Sequence, residues 1–172
     1  MPPKLIFPSP EIKNKYEEYI DEWQQANETI VPYFVDPLRR TFEKWLEDTY
    51  NGEFKETCPE NFVPASTYFL VDDSGKILGA TNIRHELNES LLITGGHIGY
   101  GIRPSERKKG YATEILALSL EQAKKFGIKK VLVTCDKDNI ASAKTIIKNG
   151  GILENEIEHK GKIAQRYWID IN

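Results

Sequence analysis

The sequence predicts an α/β (α+β) chain, with a mixed, mostly antiparallel central sheet flanked by helices. Three observations carry this. Apolar residues recur at helical spacing through the first 50 positions, the period changes to two between residues 67 and 87, and strand and helix patterns alternate after residue 97. Ser9-Pro10-Glu11 reads as a helix start, and Ile12, Tyr16, Tyr19, Ile20 and Trp23 extend it over roughly 10 to 26. Asp36-Pro37 suggests a second helix with Leu38, Phe42, Trp45 and Leu46 on one face. The stretch from Asn51 to Pro64 is turn-rich. Thr67 to Val71 and Lys76 to Leu87, joined by Asp72-Asp-Ser-Gly75, read as an antiparallel hairpin.

Residues 88 to 95 read as a further turn, and His97 to Ile102 as a short strand closed by Arg103-Pro104. A helix then places Ala112, Ile115, Leu116, Leu120, Ala123 and Phe126 toward one side, with Gly127 as its C-terminal cap. Ile128 to Cys135 is a β-branched run that reads as a buried strand. A helix capped by Asp138 or Asn139 runs to Asn149 and stops at Gly150-Gly151. Ile152 to Ile171 alternates around His159-Lys-Gly-Lys162, as a closing hairpin does. The strand-helix-strand unit is expected to end in a parallel pair, with its helix N-terminus near the ligand-binding edge of the sheet.

Composition narrows the function. The 172 residues fit a single domain, and the formal net charge of −3 gives no general attraction to nucleic acid or an anionic membrane. No stretch approaches the ~20 apolar residues of a membrane span, and the first residues lack a signal-peptide pattern, so a cytoplasmic protein is expected. Cys58 and Cys135 are too few for a disulfide framework or a thiolate metal site, and no metal is expected.

Against that acidic balance, Ser105-Glu-Arg-Lys-Lys-Gly-Tyr-Ala112 places three consecutive cations and a glycine at a helix entrance. The first N–H groups of a helix have no intrahelical partner and its dipole adds positive potential, so the place suits an anion. Gly110 lets the backbone turn closely around a ligand, Ala112 keeps bulk away, and Arg107, Lys108 and Lys109 add charge. A solvated basic turn fits the same residues. The sequence has no G-x-x-x-x-G-K-[ST], and Gly99-Tyr-Gly101 lacks the rest of a dinucleotide fingerprint.

Arg107-Lys-Lys-Gly110-Tyr-Ala112 resembles the [RQ]-x-x-G-x-[GA] signature of the GNAT N-acetyltransferase family. Ile102-Arg-Pro104 is similar to the V-x-P before that loop, and Asn139, Ser142 and Gly150 to the N-x-x-[SA]…G of the next motif. The resemblance covers roughly residues 65 to 172. It implies a GNAT fold, in which 65–172 forms an acetyl-CoA-binding core and 1–64 the acceptor side. It implies acetyl-CoA as cosubstrate, its pyrophosphate on the amides of Lys108 to Thr113 beside Arg107, Lys109, Gly110, Tyr111 and Ala112. The pantetheine would run along the strand carrying Tyr100 and Ile102, with Asn139 and Ser142 meeting it from the other side. It implies direct acetyl transfer to the primary amine of a small molecule or peptide, with no nucleic acid or membrane partner, and leaves room for a homodimer.

Two positions depart from the family pattern. Ile146 stands where the family places a tyrosine acid, and Gly151 where an aromatic follows the motif glycine. Ser142, Tyr111 and Tyr167 are the substitutes considered for the acid. A thiol is a tolerable leaving group as thiolate, so a missing acid removes only part of a ~10²–10⁴-fold factor. A non-catalytic acyl-CoA-binding module is the alternative that Ile146 keeps open. For the amine's proton, His97 is the expected base. Strand alternation puts it on one side with Gly99 and Gly101, which leave room for a substrate. A histidine bonded into a tight turn after Gly95-Gly96 accounts for it as well. Arg84, His85 and Glu86 form a second polar group for the acceptor pocket, or simple strand-end charges. Glu43, Glu47, Asp48, Glu53 and Glu56 would attract a cationic amine, or form a solvated acidic surface. The acceptor is not legible.

Overall fold

The computed structural model describes all 172 residues. Its strands are β1 (Lys4–Ile6), β2 (Ala65–Val71), β3 (Ile77–Arg84), β4 (Ile98–Ile102), β5 (Lys130–Asp136), β6 (Ile152–His159) and β7 (Lys162–Asp170). Its helices are α1 (Lys13–Gln25), α2 (Phe42–Asn51), α3 (Glu89–Ile93), α4 (Tyr111–Lys125) and α5 (Ile140–Lys148). The strands form two antiparallel sheets, in the orders β1-β2-β3-β4 and β5-β7-β6. No ladder joins β4 to β5, so the expected parallel pair does not form. Main-chain and ring bonds tie the sheets together at His97. The N–H of His97 donates to Leu132 O at 2.8 Å, and the N–H of Leu132 donates to His97 Nδ1 at 2.9 Å.

Register explains why each face is covered. Phe69 lies opposite Ala80 and Thr67 opposite Asn82, opposite in turn to Gly99. On this face α1 and α2 bring Tyr16, Tyr19, Trp23, Phe42 and Trp45 against Phe69 and Ala80. Burial of each large apolar side chain there contributes about 1.5–3 kcal/mol. The other face, with Ile83 and Ile98, receives Leu116, Leu120 and Ala123 of α4 together with Val131, Val133 and Ile146. The two halves of the chain therefore cover opposite faces of one sheet.

Several local expectations are corrected. α2 starts at Phe42, because Thr41 Oγ1 accepts the Lys44 N–H at 3.1 Å and caps it. Asp36 instead accepts the N–H of Leu38 in a turn that puts Leu38 and Arg39 at φ 49° and 66°, and Leu38 is left exposed. Residues 88 to 95 hold α3, capped by Asn88 accepting from the Leu91 N–H. β3 stops at Arg84, and β1 was not foreseen. No helix is long and apolar enough to cross a membrane.

Candidate active site

Between Ile102 and α4 the chain makes a short 3-10 turn at Pro104–Glu106, then passes through Lys108 at φ 63° and Gly110 at φ 88°. Both are left-handed, and Gly110 adopts this without steric cost. No side chain caps α4. None of the main-chain N–H groups from Lys108 to Thr113 donates a hydrogen bond within the protein, and a Cβ on Gly110 would meet nothing within 4 Å. The result is a row of unused donors at the positive end of a 15-residue helix.

The loop's own charges are mostly engaged. Arg107 pairs with Glu28 at 2.9 Å, donates from Nε to Ile102 O at 3.3 Å and lies over the Trp23 ring. Lys109 pairs at 2.8 Å with Glu106, which also holds Lys76 and is itself buried. These bonds hold the Glu106 carboxyl below its usual range, the Lys109 bond contributing most. Glu22 braces the same loop from α1, accepting from Arg103 and from the Ser105 N–H. Lys108 alone of the three cations has no acidic partner.

The unused donors open onto a groove of about 590 Å³. One wall is the free edge of β4. The N–H of Arg103 bonds Leu78 and that of Arg84 bonds His97, so bonded positions alternate along the strand. The main-chain groups of Ile98, Tyr100 and Ile102 consequently point away from β3, into the wedge between the two sheets. The opposite wall is α5, where Asn139 caps the helix by accepting the Ser142 N–H at 3.2 Å.

A model of the acetyltransferase (GNAT) domain matches residues 5–152. The chain belongs to the GNAT acetyltransferase family. This GNAT domain is 30% identical over 98 residues to the uncharacterised N-acetyltransferase YjdG of Bacillus subtilis (strain 168), a match covering 56% of this chain and 54% of that protein. The chain thus spans about half the length of the curated relative it matches. Its fold is shared with yncA of Salmonella typhimurium, solved with its cofactor acetyl-CoA (TM-score 0.64, 11% identity, 100% of this chain and 95% of that one). It is shared too with a dodecameric spermidine N-acetyltransferase of Vibrio cholerae (TM-score 0.65, 15% identity, 98% and 94%).

Of the residues singled out from the sequence, Tyr100, Ile102, Arg107, Lys108 and Gly110 line the groove of the GNAT domain. So do Tyr111, Ala112, Thr113, Asn139 and Ser142, whereas Lys109 is turned to Glu106. Trp23 and Val31 complete the lining from the N-terminal half, and no local motif marks either. Tyr100 reaches across the wedge to α5, its hydroxyl 3.1 Å from Ser142 Oγ. Burial raises its pKa, and a bond to Ser142 lowers it by less. Tyr167 is buried, bonded to Gln165, and lines neither the groove nor the cavity at its inner end.

His97 does not fit the expected base role. It is buried, and Nδ1 already accepts the Leu132 N–H, which places the proton of a neutral ring on Nε2. Burial, and then the Arg84 cation, push its pKa down to about 4. The space beside the β4 glycines is also mostly taken. A Cβ on Gly101 would stand 2.2 Å from Val31 O. Gly99 is different: it faces the Arg84 guanidinium and opens on a cavity of about 300 Å³ that continues the groove past Tyr100, Asn139 and Ser142. His85 is elsewhere, bonded to Ser66 at 2.8 Å and packed on Phe126 with the rings tilted by 31°.

The acidic patch of the N-terminal half is largely neutralised by its neighbours. Glu43 pairs with Lys13, Glu47 with Lys44, and Asp48 with Arg40 and Lys44. A separate cavity of about 280 Å³ lies under α2 and the 51–64 loop, where the Asn82 Oδ1 atom is buried without a partner. The final hairpin lines none of the three cavities.

Proposed function

We propose that this chain is an acetyl-CoA-dependent N-acetyltransferase that passes the acetyl group directly to a primary amine of a small molecule or peptide. The observation that carries the reading is the unused N–H row from Lys108 to Thr113, continuous with the open edge of β4. A pyrophosphate fits those donors, and the amides of a pantetheine fit the outward-facing main-chain groups of Ile98 and Tyr100 and the N–H of Ile102, whose carbonyl already accepts from Arg107. That two fold neighbours are a protein solved with acetyl-CoA and a spermidine acetyltransferase supports the same chemistry.

Bound acetyl-CoA supplies a thioester whose carbonyl carbon bonds to the amine nitrogen as the carbon–sulfur bond breaks. Lys108 and the α4 amides hold the charged end. Asn139 closes the far side as the α5 cap. Tyr100 is placed to give its hydroxyl proton to the departing sulfur, and the Ser142 hydroxyl bonded to it orients the phenol. Ser142 is thus a positioning residue on this reading. The phenol arrives from β4 one turn before Ile146, which is fully buried in the core, so the family's α5 tyrosine is replaced from across the wedge. No carboxylate and no free imidazole lines the inner cavity. The amine therefore loses its proton to water before or during attack.

The test is calorimetry and thermal shift with acetyl-CoA, followed by thiol release with a panel of amines. Stabilisation by acetyl-CoA and amine-dependent thiol release are expected. Absence of any acetyl-CoA binding would remove the reading, and binding without release to any amine would leave an acyl-CoA-binding module.

A further inference from the structure

The inner cavity contains one formal charge, and that charge has no counterion. Arg84 is the last residue of β3, with its side chain on the face shared by Gly99. Its Nη1 donates to Gly95 O at 3.0 Å and Gly96 O at 3.3 Å. Its Nε and Nη2 make no hydrogen bond in the protein, and both terminal nitrogens lie 3.6 Å from where a Cβ of Gly99 would stand. Burial alone pushes its pKa down, to about 10, with no carboxylate opposing the shift. It is still a cation at neutral pH.

The other arginines drawn out of water are treated differently. Arg40 holds Asp48, Arg103 holds Glu22 and Arg166 holds Glu154. A partly buried cation is best satisfied by a carboxylate, so a fold that pairs three such arginines and leaves one facing a cavity has left a place for an anion. The place is specific. The remaining lining of the cavity is neutral, including Tyr33, Thr134, Cys135 and Asn139. The guanidinium fork presents parallel donors that match a carboxylate.

The anion cannot be the pyrophosphate, which belongs at the α4 entrance, beyond Tyr100 and at the other end of the groove. We infer that Arg84 binds a carboxylate of the acceptor, and that the acceptors of this enzyme are amino acids or other amines carrying a carboxylate close to the nitrogen. This rests on the acetyltransferase reading above and narrows its substrate class. Gly99 has no side chain, so β4 adds no bulk beside the guanidinium where both line the cavity. A polyamine finds the wrong sign of charge here, since the only charged group is positive. The same cation beside the nitrogen disfavours its ammonium form, which suits a site lacking a base.

The experiment sets amino acids against their decarboxylated counterparts, for example L-phenylalanine against phenethylamine and L-leucine against isopentylamine. Thiol release is measured with saturating acetyl-CoA, and binding by calorimetry with coenzyme A present. At least one amino acid is expected to exceed its decarboxylated partner by about a hundredfold in kcat/KM, as for a buried charge pair. Arg84→Gln should bring that ratio close to one, mainly through KM, and Arg84→Lys should restore part of it. The inference is overturned if the decarboxylated amines serve wild type equally well, or if no amino acid is turned over or bound. It is overturned too if Arg84→Gln lowers both members of a pair alike, the outcome for an arginine acting on the acyl oxygen or only holding the Gly95-Gly96 turn. The paired panel on wild type decides the matter even if Arg84→Gln fails to fold. Wild type that binds acetyl-CoA but shows no preference loses only this inference. Wild type that does not bind acetyl-CoA loses the underlying function as well.

Discussion

The 105–112 loop and the inner end of the wedge use positive charge in opposite ways. The loop shows three adjacent cations in the sequence, yet Arg107 and Lys109 are held by Glu28 and Glu106, and the donors it leaves unused are mostly main-chain N–H groups. The wedge has one arginine at a strand end, unremarked by any motif, and the fold leaves it without a carboxylate. A count of charges along the chain therefore misjudges both. What makes a cation available is whether a carboxylate from a distant element reaches it, and Glu28 is 79 positions from Arg107.

If the loop works through its backbone, the largest effect comes from a residue with no charge. Gly110→Asp would impose a left-handed φ on a side chain and set a carboxylate at the α4 entrance. It is expected to weaken acetyl-CoA at least about a hundredfold in calorimetry, since like-charge juxtaposition costs several kcal/mol. Retention of wild-type affinity would show that the anion sits elsewhere.

The next effect tests the wedge. Tyr100→Phe removes a proton donor and keeps the ring, and is expected to lower kcat by about tenfold to a hundredfold with acetyl-CoA affinity little changed. A kcat within twofold of wild type would remove Tyr100 as the acid.

His97 gives a third contrast, because it sits at the apex of the wedge and is expected to act on stability. His97→Gln should lose about 1–2 kcal/mol through the Leu132 contact, a fall of a few degrees in Tm, with turnover at neutral pH retained. The pH dependence has a definite sign. The unfolded ring takes a proton near 6.5 and the folded one only near 4, so its contribution is complete above about 6.5 and is lost as pH falls through that window. Wild type should lose stability between 6.5 and 4 more steeply than His97→Gln in thermal melts.

The smallest effect sharpens the loop side. Lys108→Ala should weaken acetyl-CoA by about threefold to tenfold, with a shallower salt dependence, as expected for one exposed cation on an anion. Lys109→Ala should change affinity less, because its partner is Glu106.

These contrasts also mark where sequence reading works. The long helices and paired strands were legible because Tyr16, Tyr19, Ile20 and Trp23, or the alternation after Ile152, repeat with the period of their element. The left-handed loop before α4 was legible as a candidate anion site because a glycine, a helix start and an Asn motif fall at fixed spacing. Thr41 displaced Asp36 as the α2 cap, since both residue types cap helices and only the tertiary turn chooses between them. β1 has three residues and no period of its own. His97 was misread because its partner, Leu132, is 35 positions away. Tyr100 was expected only along the pantetheine and Arg84 only in a polar group with His85 and Glu86; the roles proposed for them depend on what stands opposite across the wedge.

The close approach of Val31 to Gly101 has a consequence for recombination. With the Val31 carbonyl where a Cβ would be, the α1–α2 connection and the bare surface of β4 form one matched pair drawn from both halves of the chain. A chimera that imports the N-terminal half of another family member would either leave a trench along β4 or drive a foreign loop into it. Gly101→Ala would meet the same conflict from the other side, with backbone rather than a flexible side chain in the way. The unit of inheritance in this protein therefore joins both halves of the chain: the α1–α2 connection and β4 have to change together.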